Sequence, residues 1–103
     1  VRAAPGKENG MGFGTWIRAE RERQDIALNE FARRLNISPA YWSRIEREME
    51  HPPKDELIEK AIAILGLPLD QAFIQAQRFP PDMKRDLPTA VRAYREFKDK
   101  ESK

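Results

Sequence analysis

Four side chains in one short stretch have the types and spacing to read a patterned polar surface without making or breaking a bond. In SPAYWSRIER, residues 38–47, a helix would set Pro39 and Ala40 one turn ahead of Ser43 and Arg44. Arg47 would lie one turn later on the same side. A guanidinium is a planar fork of N–H donors that fits the O6 and N7 of guanine, which makes Arg44 the first candidate for a base contact. Ser43 can donate or accept at several bases. Pro39 and Ala40 offer only apolar contact, for instance to a thymine methyl. Asn29 at a helix start, Arg33, Ser38, Tyr41, Arg47 and Lys54 are candidates for phosphate contact. From charge alone, Arg33, Arg34, Arg44 and Arg47 read equally well as a solvated helix face.

Other chemistry is scarce. The 103 residues contain no cysteine and a single histidine, His51, so disulfides, thiolate metal sites and cysteine nucleophiles are excluded. His51 has Glu50 and Asp55 nearby but no accompanying nucleophile and no phosphate-cradling glycine loop, so no enzyme activity, metal or cofactor is expected. With 19 basic and 17 acidic residues the net charge is +2. The excess is uneven: residues 1–47 hold nine basic and six acidic side chains, and residues 48–103 hold ten and eleven. Phosphate neutralisation governs nucleic-acid affinity and its salt dependence, so the basic half faces the right way. Glu46, Glu48 and Glu50 oppose it unless they are paired or turned away.

The positioning elements are helical throughout. Residues 1–12 are aperiodic and glycine-rich, expected to be a disordered arm or an expression remnant ahead of a native start at Met11, with Arg2 and Lys7 as its only basic groups. Phe13, Trp16 and Ile17 share one helix face, followed by a polar run to Asp25. Leu28, Phe31, Ala32 and Leu35 repeat the helical period up to Asn36, a residue type that tolerates positive φ. Ser38-Pro39 is a helix start, a capping hydroxyl before a proline suited to the first turn. His51-Pro52-Pro53 is a break. A buried helix is predicted from Lys54 to Leu65, closed by Gly66. A fifth runs from Pro68 to Phe79, and after a polar link a last amphipathic helix starts at Pro88. No strand period appears, so the fold is expected to be all-α. No apolar run approaches 18 residues, which predicts a cytoplasmic protein without a membrane segment.

The turn LNIS, residues 35–38, is too tight for a bundle hairpin, and Ala32 supplies the small side chain where two helices cross steeply. The stretch FGTWIRAERERQDIALNEFARRLNISPAYWSRIERE, with HPPKDELIEKAIAILGLPLDQAF after it, resembles the lambda-repressor/Cro-type (XRE) helix-turn-helix family over about Phe13 to Phe73. The resemblance implies a five-helix DNA-binding domain, residues 13–79, with an additional C-terminal helix in an extension, residues 80–103. It also implies a bacterial, phage or plasmid-encoded, nucleoid-associated regulator that acts on double-stranded DNA, usually a repressor occupying a palindromic operator as a homodimer. Arg21 and Glu46 resemble a buried structural ion pair of that family. Two positions depart from its pattern: Leu28 stands where many members carry glutamine, and Trp42 replaces an aliphatic residue in the recognition helix. Two surfaces are expected for a second copy, or for a partner protein in an antitoxin-like alternative: Val91, Tyr94 and Phe97, and Phe73, Ile74 and Phe79. The last helix folding back on its own domain is the competing expectation.

Overall fold

The computed structural model describes residues 12–101, so the expected N-terminal arm lies outside the described residues except for Gly12. Among the described residues the chain forms seven helices and no strand: α1 (Phe13–Arg23), α2 (Leu28–Leu35), α3 (Pro39–Glu46), α4 (Asp55–Leu65), α5 (Leu69–Gln75), α6 (Pro81–Arg85) and α7 (Leu87–Glu101). None of these is long and apolar enough to cross a membrane.

Local backbone chemistry explains most of the boundaries. Ser38 Oγ accepts a hydrogen bond from Tyr41 N at 3.1 Å, and Pro39 is the first residue of α3. Serine therefore satisfies one of the helix-start donors, and proline has none to satisfy. α2 stops because Asn36 adopts φ 62°, which lets Ile37 N donate back to Ala32 O at 3.0 Å. Gly66, at φ 70°, closes α4 in the same way through Leu67 N and Ile62 O. Three further helix ends use residues without glycine's freedom: Asp25, Glu48 and Gln77 have φ of 58°, 64° and 61°. Gln77 corrects the expected fifth helix, which ends at Gln75 instead of running to Phe79; Arg78 N donates to Phe73 O across this turn. The expected polar link contains the short α6, which begins at Pro81.

One core joins the first five helices. Phe13, Trp16, Ile17, Phe31, Ala32, Leu35, Trp42, Ile45, Leu57, Ile58, Ala61, Ile62, Leu65, Ala72, Phe73 and Ala76 are all buried. Ala32 is fully buried where α2 meets α3, as its size requires, and the Phe31 and Trp42 rings tilt against each other with centroids 5.3 Å apart. Phe73 is a correction: it is wholly buried in this core, because the stripe Ala72, Phe73, Ala76 is the face α5 turns inward. It belongs to the interior and not to a partner surface. Ile74 and Phe79 remain exposed.

The C-terminal part is attached differently. α7 packs mainly on α6 and buries none of its residues, so it does not fold back into the core. α6 is tied down by polar groups. Arg78 donates to Pro52 O at 2.6 Å and to Asp55 Oδ1 at 3.1 Å, and Lys84 donates to the other Asp55 oxygen. The bond from Lys84, helped by Arg78, holds the Asp55 carboxyl below its usual range. The attachment is therefore complete above pH ~4, where an unfolded aspartate is ionised, and is lost as pH falls through the lowered folded-state value.

Candidate nucleic-acid interface

α3 is held from beneath by two contacts with α1. Arg21 Nε and Nη2 donate to the two Glu46 carboxylate oxygens at 2.7 and 2.8 Å, and both side chains are buried. Trp42 Nε1 donates to Glu46 Oε2 at 2.6 Å, and Arg21 Nη1 donates to Ile26 O at 2.6 Å. The nearby carboxylate raises the Arg21 pKa above its ordinary value against the opposing effect of burial. Trp42 is thus both core and hydrogen-bond donor, a double role its position alone did not reveal. The second contact is backbone against backbone at Gly14, where an added Cβ would lie 1.9 Å from Ile45 O.

With its inner face fixed, α3 leaves Pro39 and Ala40 exposed and Ser43 and Arg44 half-exposed, with Arg47 exposed at its end. The four base-contact candidates therefore share one accessible side. Asn29, Arg33, Ser38 and Pro39 surround a shallow hollow with Asn36 and Ile37, where α2, the turn and α3 meet. Tyr41 and Lys54 border a second groove, in which Lys60 is an additional cation that sequence reasoning passed over. Ser43 and Arg47 border a third with Arg18, Arg21, Leu28 and Glu46. Arg18 was also missed; it sits in the polar run of α1, and its only visible signal was the pairing distance to Glu22. Leu28 brings no donor to that groove.

Most cations here have carboxylate partners. Arg33 and Arg34 both reach Glu30, at 2.6 and 2.9 Å, and they hold the Glu30 carboxyl below its usual range, Arg33 most strongly. Arg44 Nε lies 3.2 Å from Glu50 Oε2, and its guanidinium rests 5.9 Å from the centre of the Tyr41 ring. The three glutamates that seemed to oppose phosphate are each engaged: Glu46 inside, Glu50 on Arg44, and Glu48 at the start of α1. Glu48 Oε2 accepts from Thr15 N at 2.8 Å and Thr15 Oγ1 at 3.0 Å. It serves as the cap that Gly12 has no side chain to provide. Among the described residues no group of acidic residues and histidine is arranged to hold a metal ion.

Two short helices joined by a left-handed Asn36, the second capped and outward-facing, form a unit also present in known proteins. A helix-turn-helix family model matches residues 17–71, just over half of the chain. The chain belongs to the helix-turn-helix family. Its resemblance to XRE-type regulators is matched by solved structures with the same all-helical, lambda-repressor-like fold. One is the clp gene regulator ClgR from C. glutamicum, with a TM-score of 0.55 and 28% identity over 63% of this chain and 83% of ClgR. Another is SinR, the master regulator for biofilm formation, solved in complex with DNA, with a TM-score of 0.55 and 26% identity over 59% of this chain and 97% of that one. A SinR–SinI complex aligns over 87% of this chain and 94% of its own at 22% identity, with a TM-score of 0.56, a likeness of fold. No curated protein matches the chain. The family and these neighbours are DNA-binding regulators, not enzymes.

Proposed function

We propose that this helix-turn-helix protein is a sequence-specific double-stranded-DNA-binding repressor that occupies a palindromic operator as a homodimer. The head is residues 13–79 and the extension is residues 80–103. The observation that carries the DNA reading is the outer side of α3, a Ser38-capped helix with Pro39, Ala40, Ser43 and Arg44 accessible and its inner face locked to α1. A recognition helix enters the major groove N-terminus first, so these four residues meet base edges. Asn29, Arg33, Ser38, Tyr41, Arg47 and Lys54 flank them for phosphate. The solved SinR complex with DNA supports the same use of the fold. Repression is by occupancy, in the bacterial cytoplasm where the operator lies. Arg44→Ala raises the dissociation constant for the operator about 10- to 100-fold, the worth of one bidentate guanine contact. Titration of upstream DNA at two salt concentrations measures this, and affinity indifferent to salt and to Arg44→Ala would overturn the reading.

Dimerisation rests on α7. Leu87, Val91, Tyr94 and Phe97 are 39, 45, 59 and 57% exposed along one side, a concentration of apolar surface that a lone domain rarely leaves in water. Tyr94→Glu is expected to give a monomer in sedimentation analysis, with helix content retained and operator affinity reduced. A dimer that persists in this variant removes α7 from the interface. The same stripe also suits an apolar helix of another protein, the antitoxin-like alternative. A stoichiometric partner that co-purifies with the chain, and is lost on truncation at Pro80, would favour that instead.

A further inference from the structure

Arg44 is not free on the reading surface, and the way it is held is unlike its neighbours. Arg18, Arg33 and Arg34 meet carboxylates three or four residues away on their own helices, the ordinary spacing of helix-surface pairs. Glu50 lies six residues beyond Arg44, outside any helical pairing distance. It arrives there because α3 ends, Glu48 takes the left-handed conformation, and Met49 N donates to Arg44 O at 2.8 Å. The chain doubles back and sets the Glu50 carboxylate beside the guanidinium.

The consequence is an oriented fork. Glu50 engages Nε, and Tyr41 lies under the guanidinium. Among the described residues neither terminal nitrogen of Arg44 has a hydrogen-bond partner, so the bidentate edge is left open. Glu46 binds Arg21 and Trp42 and Glu48 binds Thr15, while Glu50 is bonded to Arg44 through Nε.

We propose that Glu50 is a specificity-determining residue that acts through Arg44, favouring guanine over phosphate as the partner of its guanidinium. The inference rests on the DNA reading above. Guanine O6 and N7 are neutral acceptors, so Arg44 can bind them with Nε still on Glu50. A phosphate is a second anion, and reaching it brings Glu50 close to like charge or requires the pair to break. Glu50 therefore weakens non-specific binding, which is mostly phosphate contact, more than it weakens binding to the chosen site.

The test compares the full chain with Glu50→Gln, Glu50→Asp, Arg44→Ala and the Arg44→Ala/Glu50→Gln double variant. The probes are a duplex selected from a random pool and a scrambled duplex of the same composition. Glu50→Gln is expected to tighten scrambled binding about fivefold more than selected binding, in line with one exposed pair. Its salt dependence on scrambled DNA steepens by about one phosphate contact. Glu50→Asp retains most of the wild-type preference, and in the Arg44→Ala background Glu50→Gln leaves the preference unchanged. Equal tightening on both duplexes would overturn the proposal. So would an effect that survives in the Arg44→Ala background, the signature of Glu50 contacting a base itself. A wild-type chain with no preference for any duplex sinks the DNA reading first and this proposal with it.

Discussion

Glu46→Ala is expected to destabilise the domain by about 3–5 kcal/mol, the usual consequence of removing one member of a buried pair. The side chains of Arg21 and Glu46 are only 7% and 2% exposed, so water cannot replace the lost carboxylate. Two N–H groups of the guanidinium and the Trp42 Nε1–H all donate to it. Its removal leaves a buried charge and an indole donor without partners, and each carries a desolvation penalty. For a domain this small the melting temperature should fall by at least ~12 °C. Glu46→Gln is expected to fall between, since an amide oxygen can still accept from Trp42 but cannot neutralise Arg21. Urea unfolding with a shared slope measures the loss, and a cost below about 1 kcal/mol would show that the pair does not hold α3 to α1. Replacing both partners with apolar residues should recover much of the stability, because the penalty comes from the stranded charge.

Gly14→Ala should also lose stability, by about 3 kcal/mol, against its own local propensity. Alanine is favoured over glycine in a helix by up to ~1 kcal/mol. Here the new methyl would sit 1.9 Å from Ile45 O, 2.9 Å from Ile45 C and 3.0 Å from Glu46 Cα. These are backbone atoms of α3 and cannot rotate away, so the helices must separate. Overpacking of this kind costs about 1–3 kcal/mol and occasionally more. The displaced helix is the one that presents Arg44, so operator affinity should fall along with the melting temperature. A variant that melts higher than wild type would mean that α1 and α3 do not make this close approach.

Particular residues show how far the reading from sequence reached. The all-α class, the Ser38-Pro39 start, the Asn36 and Gly66 stops and the buried role of Trp42 were legible because each follows from a local property: a capping hydroxyl, a fixed φ, tolerance of positive φ, an apolar period. The Arg21–Glu46 pair was legible only through family resemblance, since 25 residues separate its members and no local rule links them. The polar run to Asp25 marked the end of the first helix, but Gln77 was not legible as a helix stop. Glutamine carries no preference for positive φ strong enough to announce it, and the surrounding packing imposes it. The fifth helix therefore reads too long in the sequence, and α6 lies in a stretch that reads as a polar link because it has too few apolar residues to show a helical period. Phe73 and Phe79 looked alike as aromatic positions near the end of the head; packing put the first in the core and left the second exposed.

The sequence alone therefore determined the element types, the helix-turn-helix and the identity of the residues on the outer side of α3, because periodicity and capping act within a few residues along the chain. Tertiary structure decided which charges pair with one another, which glycine lies against a neighbouring backbone and which aromatic stripe remains exposed. Those are matters of distance between segments remote in sequence. Glu50 reaches Arg44 only through a turn that Glu48 permits, and Gly14 matters only because Ile45 comes against it.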